Sequence, residues 1–240
     1  MTTPAPWRLL LIGATGAIGS AVCDHAQARG WSVTATSRRA PQDASRAGLR
    51  RFAFDPLTDD PAAVFAGEAP FDAVCWAHGA NMADSIGQFD AERHLELYQA
   101  NCLSILTSAS RLLDAGLLRH DGARLTMVSS IWQERARQNK LSYTVTKAAV
   151  GGIVRSMAVD LGPSGHLVNG VLPGVLQTPM TEANLTPEQI ALFRDKAPTG
   201  QLPDLDTLAD TILFLCSAEN SAVTGQSITV DCGMSNAALV

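Results

Sequence analysis

The sequence predicts an α/β fold: a seven-stranded, doubly wound parallel sheet with helices on both faces. Three observations predict it. Short apolar runs recur along the 240 residues, most of the intervals between them carry a helical pattern, and a glycine-rich turn directly follows the first run. Regular alternation of strand and helix implies right-handed crossovers, and therefore parallel strands.

The first strand is the run Leu9-Leu10-Leu11-Ile12, at about 8–12. Gly13-Ala14-Thr15-Gly16-Ala17-Ile18-Gly19 then turns the chain into a helical pattern that reaches about Arg29. A dinucleotide site requires this arrangement. The helix N-terminus offers unpaired N–H groups and a positive dipole end to a pyrophosphate, and glycines let the backbone approach it closely. Further strand-like runs lie at about 31–36, 49–54, 72–77, 123–129, 166–171 and 226–230. The longest irregular stretch, 174–205, carries prolines at 179, 187, 198 and 203. Within it, Thr186-Pro187-Glu188-Gln189 reads as a capping box with proline at the first helical position, so a short helix is predicted to about Lys196.

Chemistry enters with Tyr143 and Lys147. Four residues apart on a helix, they share a face, so a phenol and an ammonium act on one small volume. A tyrosine titrates near ~10 and burial drives that higher, so a phenolate needs a positive charge close enough to outweigh desolvation; Lys147 is the residue to supply it. Ser130 lies thirteen residues before Tyr143. Strand alternation sends Ser129 to the face opposite Ser130, so only one of the pair can meet a ligand.

Bulk properties narrow the function classes. With 46% hydrophobic and 17% charged residues, the chain holds one sizeable core, and a single domain over 1–240 is expected. No run approaches the roughly 18 to 20 apolar residues of a membrane span, and the opening residues lack a secretory pattern, so a soluble, cytoplasmic protein with no membrane partner is expected. A net charge of −5 without a basic run argues against nucleic acid. The five cysteines, Cys23, Cys75, Cys102, Cys216 and Cys232, contain no C-x-x-C pair, which favours reduced thiols over a metal knuckle or disulfides. No metal site is expected.

These motifs together resemble the short-chain dehydrogenase/reductase family, in its compact single-domain branch of 3-oxoacyl-carrier-protein reductases and other ketoreductases. Asn101, Ser130, Tyr143 and Lys147 match that family's tetrad in order and spacing. Asn169 with Pro173-Gly174 and Thr178, and Thr224-Gly225-Gln226 through Val230-Asp231-Cys232-Gly233, match its later motifs. The resemblance implies a Rossmann-like domain, a nicotinamide cofactor and a substrate lid at about 175–205, the alternative for that stretch being a surface loop without ligand contact. It also implies pairing of the Asn101 and Tyr143 helices with their copies in a homotetramer or homodimer. Small residues on the second of these, including Gly151 and Gly152, fit close packing there or against the chain's own sheet.

The same resemblance assigns roles. Tyr143 is the proton donor in reduction and the base in oxidation. Ser130 holds the substrate oxygen, Lys147 binds the nicotinamide ribose and favours the phenolate, and Asn101 holds a relaying water. Gly13, Thr15, Gly16, Ala17, Ile18 and Gly19 surround the pyrophosphate, Asp55 the adenine, and Pro173, Gly174, Val175 and Thr178 the carboxamide. In place of the acidic residue that binds a ribose 2′-OH stand Ser37, Arg38 and Arg39, which favours NADP(H) over NAD(H). Trp76-Ala77-His78-Gly79 departs from the family's Asn-Asn-Ala-Gly, leaving His78 either a ligand contact or a hydrogen-bonded structural residue. The G-x-x-G-x-x-G spacing is likewise more usual in the longer, epimerase-like branch, but the chain ends seven residues after Gly233, which favours the compact one. Trp132 and Met180, with Leu141, Leu176 and Phe193, are candidates for a partly apolar substrate pocket. Arg135, Arg137 and Lys140 either read an acidic substrate group or form a solvated face. The leading expectation is an NADP-dependent ketone or aldehyde reductase acting on a small-molecule substrate. The alternatives are an NAD-dependent dehydrogenase of a hydroxylated substrate and a non-catalytic dinucleotide sensor.

Overall fold

The computed structural model describes residues 5–39, 47–178, 181 and 185–237. Seven strands, β1 Arg8–Ile12, β2 Ser32–Ser37, β3 Leu49–Ala53, β4 Ala73–Trp76, β5 Arg124–Val128, β6 Leu167–Pro173 and β7 Ser227–Val230, form one sheet in the order β3-β2-β1-β4-β5-β6-β7. Every adjacent pair is parallel. Helices α1 Ala17–Ala28, α2 Pro61–Val64, α3 Ala91–Tyr98, α4 Ser104–Asp114, α5 Leu141–Leu161, α6 Pro187–Lys196 and α7 Leu205–Cys216 fill the crossovers. This is the expected Rossmann-like α/β fold.

Strand alternation divides the core into two layers. Leu9, Leu11, Val33, Ala35 and Cys75 pack with α1 and α7 on one face. Leu10, Ile12, Val74, Trp76, Leu125 and Met127 pack with α4 and α5 on the other. A sheet covered on both faces needs apolar residues at successive positions, and its central strands β1 and β4 read as nearly continuous apolar runs.

Two features of the frame position the site. The strand order reverses between β1 and β4, which opens a crevice beyond their C-terminal ends. A π turn, Gln99–Leu103, joins α3 to α4 and carries Asn101. Gly151 of α5 is seated against its own chain, since a β-carbon there would lie 2.7 Å from Gln133 Nε2. Gly152 faces open space, so of the two adjacent glycines only Gly151 is explained by packing within the chain. Among the described residues, no helix is long and apolar enough to cross a membrane, and no group of three His, Cys, Asp or Glu could hold a metal ion.

Candidate active site

A cavity of about 790 Å³ runs along the C-terminal ends of the strands and across the β1/β4 reversal. The β1–α1 turn contributes Gly13, Thr15, Gly16, Ala17 and Ile18, and the ends of β2 and β3 contribute Ser37, Arg38 and Asp55. From beyond β4 come Ala77, His78 and Gly79; from beyond β5, Ser130 and Trp132; from α5, Tyr143; from the end of β6 onward, Pro173, Gly174, Val175 and Thr178. Most of the sequence-predicted positions therefore share one concavity.

Several predicted positions are placed differently. Gly19 does not border the cavity: a β-carbon there would lie 2.2 Å from Gly13 O, so it serves the packing of α1 on the turn. Arg39 is exposed and outside the lining, and its carbonyl accepts a hydrogen bond from Ser37 Oγ at 2.8 Å. Leu141 and Arg135 do not reach the cavity either. Met180 lies outside the described residues.

The β1–α1 turn is built for an anion. Gly13 has φ +91°, and a β-carbon on it would approach His78 N to 2.6 Å, so this crossing of β1 and the segment after β4 admits only glycine. Helix α1 starts from Gly16 with no side-chain cap and no acidic residue in its first turn, leaving its N-terminal N–H groups toward the cavity. Arg38 is exposed where the cavity passes the end of β2, and Asp55, also in the lining, has Oδ1 accepting from Leu57 N at 2.9 Å.

His78 can be assigned a tautomer. Ser104 Oγ donates to Ala100 O at 2.9 Å and so accepts from His78 Nε2, 2.7 Å away. The proton is therefore on Nε2 and Nδ1 holds a lone pair, buried and without a hydrogen-bond partner. Burial pushes this histidine down to about 4, the charges of Lys147 and Arg38 adding to the effect and Asp55 opposing it, so the ring is neutral near pH 7. His78 is anchored structurally through Nε2, and the residue also borders the cavity.

Ser130 opens a short 3₁₀ turn, Ile131–Gln133, and its Oγ accepts from Trp132 N at 3.3 Å. β5 ends at Val128, so strand alternation no longer separates the two serines, and Ser129 borders the cavity as well, its Oγ buried and unpartnered. Burial raises the Tyr143 phenol above its ordinary range, with a hydrogen bond from Ser130 opposing. The expectation that Lys147 outweighs desolvation is not met. Its Nζ sits 5.7 Å from the Tyr143 ring centroid and donates to Val128 O at 3.2 Å, and burial pushes the ammonium itself down to about 8. The phenol is held protonated rather than as a standing phenolate.

Asn101 and Lys147 form the layer behind the wall. A β-carbon on Gly79 would lie 3.3 Å from Asn101 Oδ1 and 3.6 Å from Lys147 Nζ, so the bare glycine is all that separates them from the cavity. The Asn101 amide makes three hydrogen bonds: Oδ1 accepts from Ala80 N at 2.7 Å, and Nδ2 donates to Ala80 O at 3.1 Å and Thr146 Oγ1 at 3.0 Å. It ties the segment after β4 to the residue preceding Lys147.

Sequence reasoning missed part of the lining. Ala80 and Asn81 follow Gly79, Glu96 comes from α3 and Gln99 from the π turn, Thr181 and Leu185 precede α6, and Ser104 Oγ bonds His78. Adjacency to Gly79 was the available signal for the first two. Thr181 and Leu185 fall in the stretch expected to form the lid, whereas Glu96, Gln99 and Ser104 carried no such signal.

The family model described as "Enoyl-(Acyl carrier protein) reductase" matches residues 68–235 of this chain. The chain belongs to the short-chain dehydrogenase/reductase family. An uncharacterized oxidoreductase of Bacillus subtilis is 28% identical over 236 residues, 93% of this chain and 97% of that protein. The 7alpha-hydroxysteroid dehydrogenase of Escherichia coli K12 is 33% identical over 136 residues, 57% of this chain and 53% of the enzyme. Among solved structures, a Burkholderia cenocepacia gluconate 5-dehydrogenase in complex with NADP and tartrate superposes with a TM-score of 0.87, at 21% identity and 96% of each chain. As a short-chain dehydrogenase/reductase, the protein is an NAD(P)-dependent oxidoreductase. The residues present fit a nicotinamide dinucleotide: the uncapped α1 N-terminus and the glycine turn that borders the cavity leave N–H donors and space for a pyrophosphate.

Proposed function

We propose that this chain is an NADP(H)-dependent reductase of ketones or aldehydes, reversible as a secondary-alcohol dehydrogenase, with Tyr143 as acid and base. One observation carries the reading: a buried, protonated phenol borders the cavity together with Ser130, with the Lys147 ammonium behind it. The cofactor supplies the hydride when bound. Ser130 holds the carbonyl oxygen, and Tyr143 gives that oxygen its proton, so the product is the alcohol. The charge left on the phenol oxygen is stabilised by Lys147. Asn101 acts as a positioning residue, and since its amide is engaged, the water that the family resemblance assigns to it would be held by the backbone of the π turn. Gly13, Thr15, Gly16, Ala17 and Ile18 hold the pyrophosphate. Pro173, Gly174, Val175 and Thr178 border the carboxamide. The segment 175–205, whose Leu185 and Phe193 reach the cavity wall, closes over the substrate as a lid on a single domain.

NADP(H) is favoured by Ser37 and Arg38. No carboxylate at the end of β2 repels a 2′-phosphate, and the Arg38 guanidinium at the cavity rim pairs with one. The test is turnover of a panel of ketones, keto sugars and acyl thioesters with NADPH and with NADH. We expect higher kcat/KM with NADPH, and Arg38→Leu to lower it far more for NADPH than for NADH. A preference of the native enzyme for NADH overturns the cofactor assignment. Binding of either nucleotide without turnover of any compound favours the dinucleotide sensor.

A further inference from the structure

We propose that the substrate is a keto acid, or in the reverse direction a hydroxy acid, whose carboxylate is received by Arg137. This inference rests on the carbonyl chemistry proposed at Tyr143 and names the substrate class that the same cavity selects. Arg137 borders the cavity together with Ser130, Trp132 and Tyr143. Its guanidinium carbon lies 5.8 Å from the centre of the Trp132 ring, and Trp132 meets Phe193 of α6 edge-on at 6.3 Å. The arginine is therefore laid against an aromatic surface two residues from the serine that would hold the carbonyl oxygen, rather than extended into solvent.

What Arg137 lacks is an anion. It is half-buried, and among the described residues no carboxylate lies within ion-pair distance of it. Burial lowers its guanidinium from the ordinary value, with no partner to offset the cost. The carboxylates that border the cavity do not answer it: Asp55 sits beyond β3 with one oxygen on Leu57 N, and Glu96, on α3, is exposed and makes no ion pair with Arg137. The other cation on this side, Lys140, is buried and held by Asn81 Oδ1 at 2.8 Å and Met82 O at 3.1 Å, so it adds positive potential without moving. Partly desolvated cations are ordinarily paired, and a planar guanidinium with a fixed face matches a carboxylate through two parallel hydrogen bonds. Apolar Trp132, Leu176, Leu185 and Phe193 take the carbon skeleton between carbonyl and carboxylate.

The experiment compares keto acids of increasing length with their methyl esters, and with keto phosphates, using NADPH. We expect kcat/KM for the preferred acid to exceed that of its ester by roughly tenfold or more, the difference appearing in KM. Arg137→Gln should bring the acid-to-ester ratio close to one, Arg137→Lys should retain part of it, and Arg135→Gln, at an exposed position outside the cavity, should leave it unchanged. A ratio near one in the native enzyme, or a ratio that Arg137→Gln does not move, overturns the proposal while leaving carbonyl reduction intact. Preference for the phosphate over the acid also overturns it, in favour of a phosphorylated substrate. If nothing is turned over, calorimetric binding of the same acids and esters to the NADP-loaded protein decides: Arg137-dependent selection of the acid supports the anion site even though the reduction reading fails, and its absence sinks both.

Discussion

Tyr143 and Lys147 divide their work differently from a ready-made phenolate. A buried phenol with a raised pKa keeps its proton until the carbonyl oxygen demands it, and the charge 5.7 Å from the ring centroid matters only as negative charge develops. On the proposed role, Tyr143→Phe should remove at least nine-tenths of kcat, a loss of more than ~1.4 kcal/mol of transition-state stabilisation, while NADP(H) affinity stays within a fewfold. Retention of normal turnover would end the assignment. Ser130→Ala should cost far more than Ser129→Ala, and equal losses would mean that the two hydroxyls share the substrate oxygen. A pH profile isolates the lysine. Because burial lowers Lys147 to about 8, its positive charge is lost as pH rises through that value, whereas the phenol is raised and stays protonated there. The rate of reduction should therefore fall above pH about 8, and the falling limb should vanish from the residual activity of Lys147→Met. A limb that persists in that variant belongs to another group.

Among elements, the β1–α1 turn is the least tolerant. Gly13 combines φ +91° with a backbone neighbour 2.6 Å from where a β-carbon would sit, whereas Gly67, at φ +82°, has nothing within 4 Å. Gly67→Ala meets only the backbone cost of an unfavourable φ, of order 1–3 kcal/mol, and Gly13→Ala adds a clash that displaces His78. Thermal denaturation should show the larger loss for Gly13→Ala, together with weakened dinucleotide binding that Gly67→Ala does not share; equal losses would mean that the crossing of β1 and the β4 segment yields easily. The strands, this turn and the capped α6 were legible in the sequence because each rests on a local code: apolar runs for buried strands, glycines for a close approach, and Thr186 with Gln189 for the cap. What was not legible depends on distance or phase. Arg38 and Arg39 are indistinguishable as residues, and only the bend after β2 puts one in the cavity. Ser129 escaped the strand rule because β5 stops one residue earlier than the apolar pattern. The direction of the Tyr143 shift turns on where the Lys147 side chain finds its hydrogen bond, which no spacing of four residues records.

The molecule as a whole leaves apolar side chains in water along one flank. Leu95, Leu103 and Leu106, from α3, the π turn and α4, and Val145 and Val159, from α5, are exposed, Val159 to 75%. With Gly152 open between the two valines, this flank is the surface on which we propose that two copies pair, as a homodimer or as half of a tetramer. Light scattering at micromolar concentration should report two or four times the 25.3 kDa of one chain, and Val145→Asp or Gly152→Leu should lower the mass. A single-chain mass for the native protein rejects the assembly, and variants that stay associated move the contact elsewhere.

The π turn between α3 and α4 has a consequence for length rather than for composition. A π turn is one residue inserted into an otherwise α-helical path, and each α-helical residue advances the helix by about 100°. Removing Ala100 would let α3, the turn and α4 merge into one regular rod. The widened turn absorbs the extra residue, so α3 would keep Leu97 on its buried face, whereas the residues of the turn itself would be repositioned and the bonds of Asn101 to Ala80 and Thr146 disturbed. A one-residue deletion here is therefore felt first in the turn, at Gln99 and Asn101. The chain should accept many different side chains at position 100 and yet not accept having none.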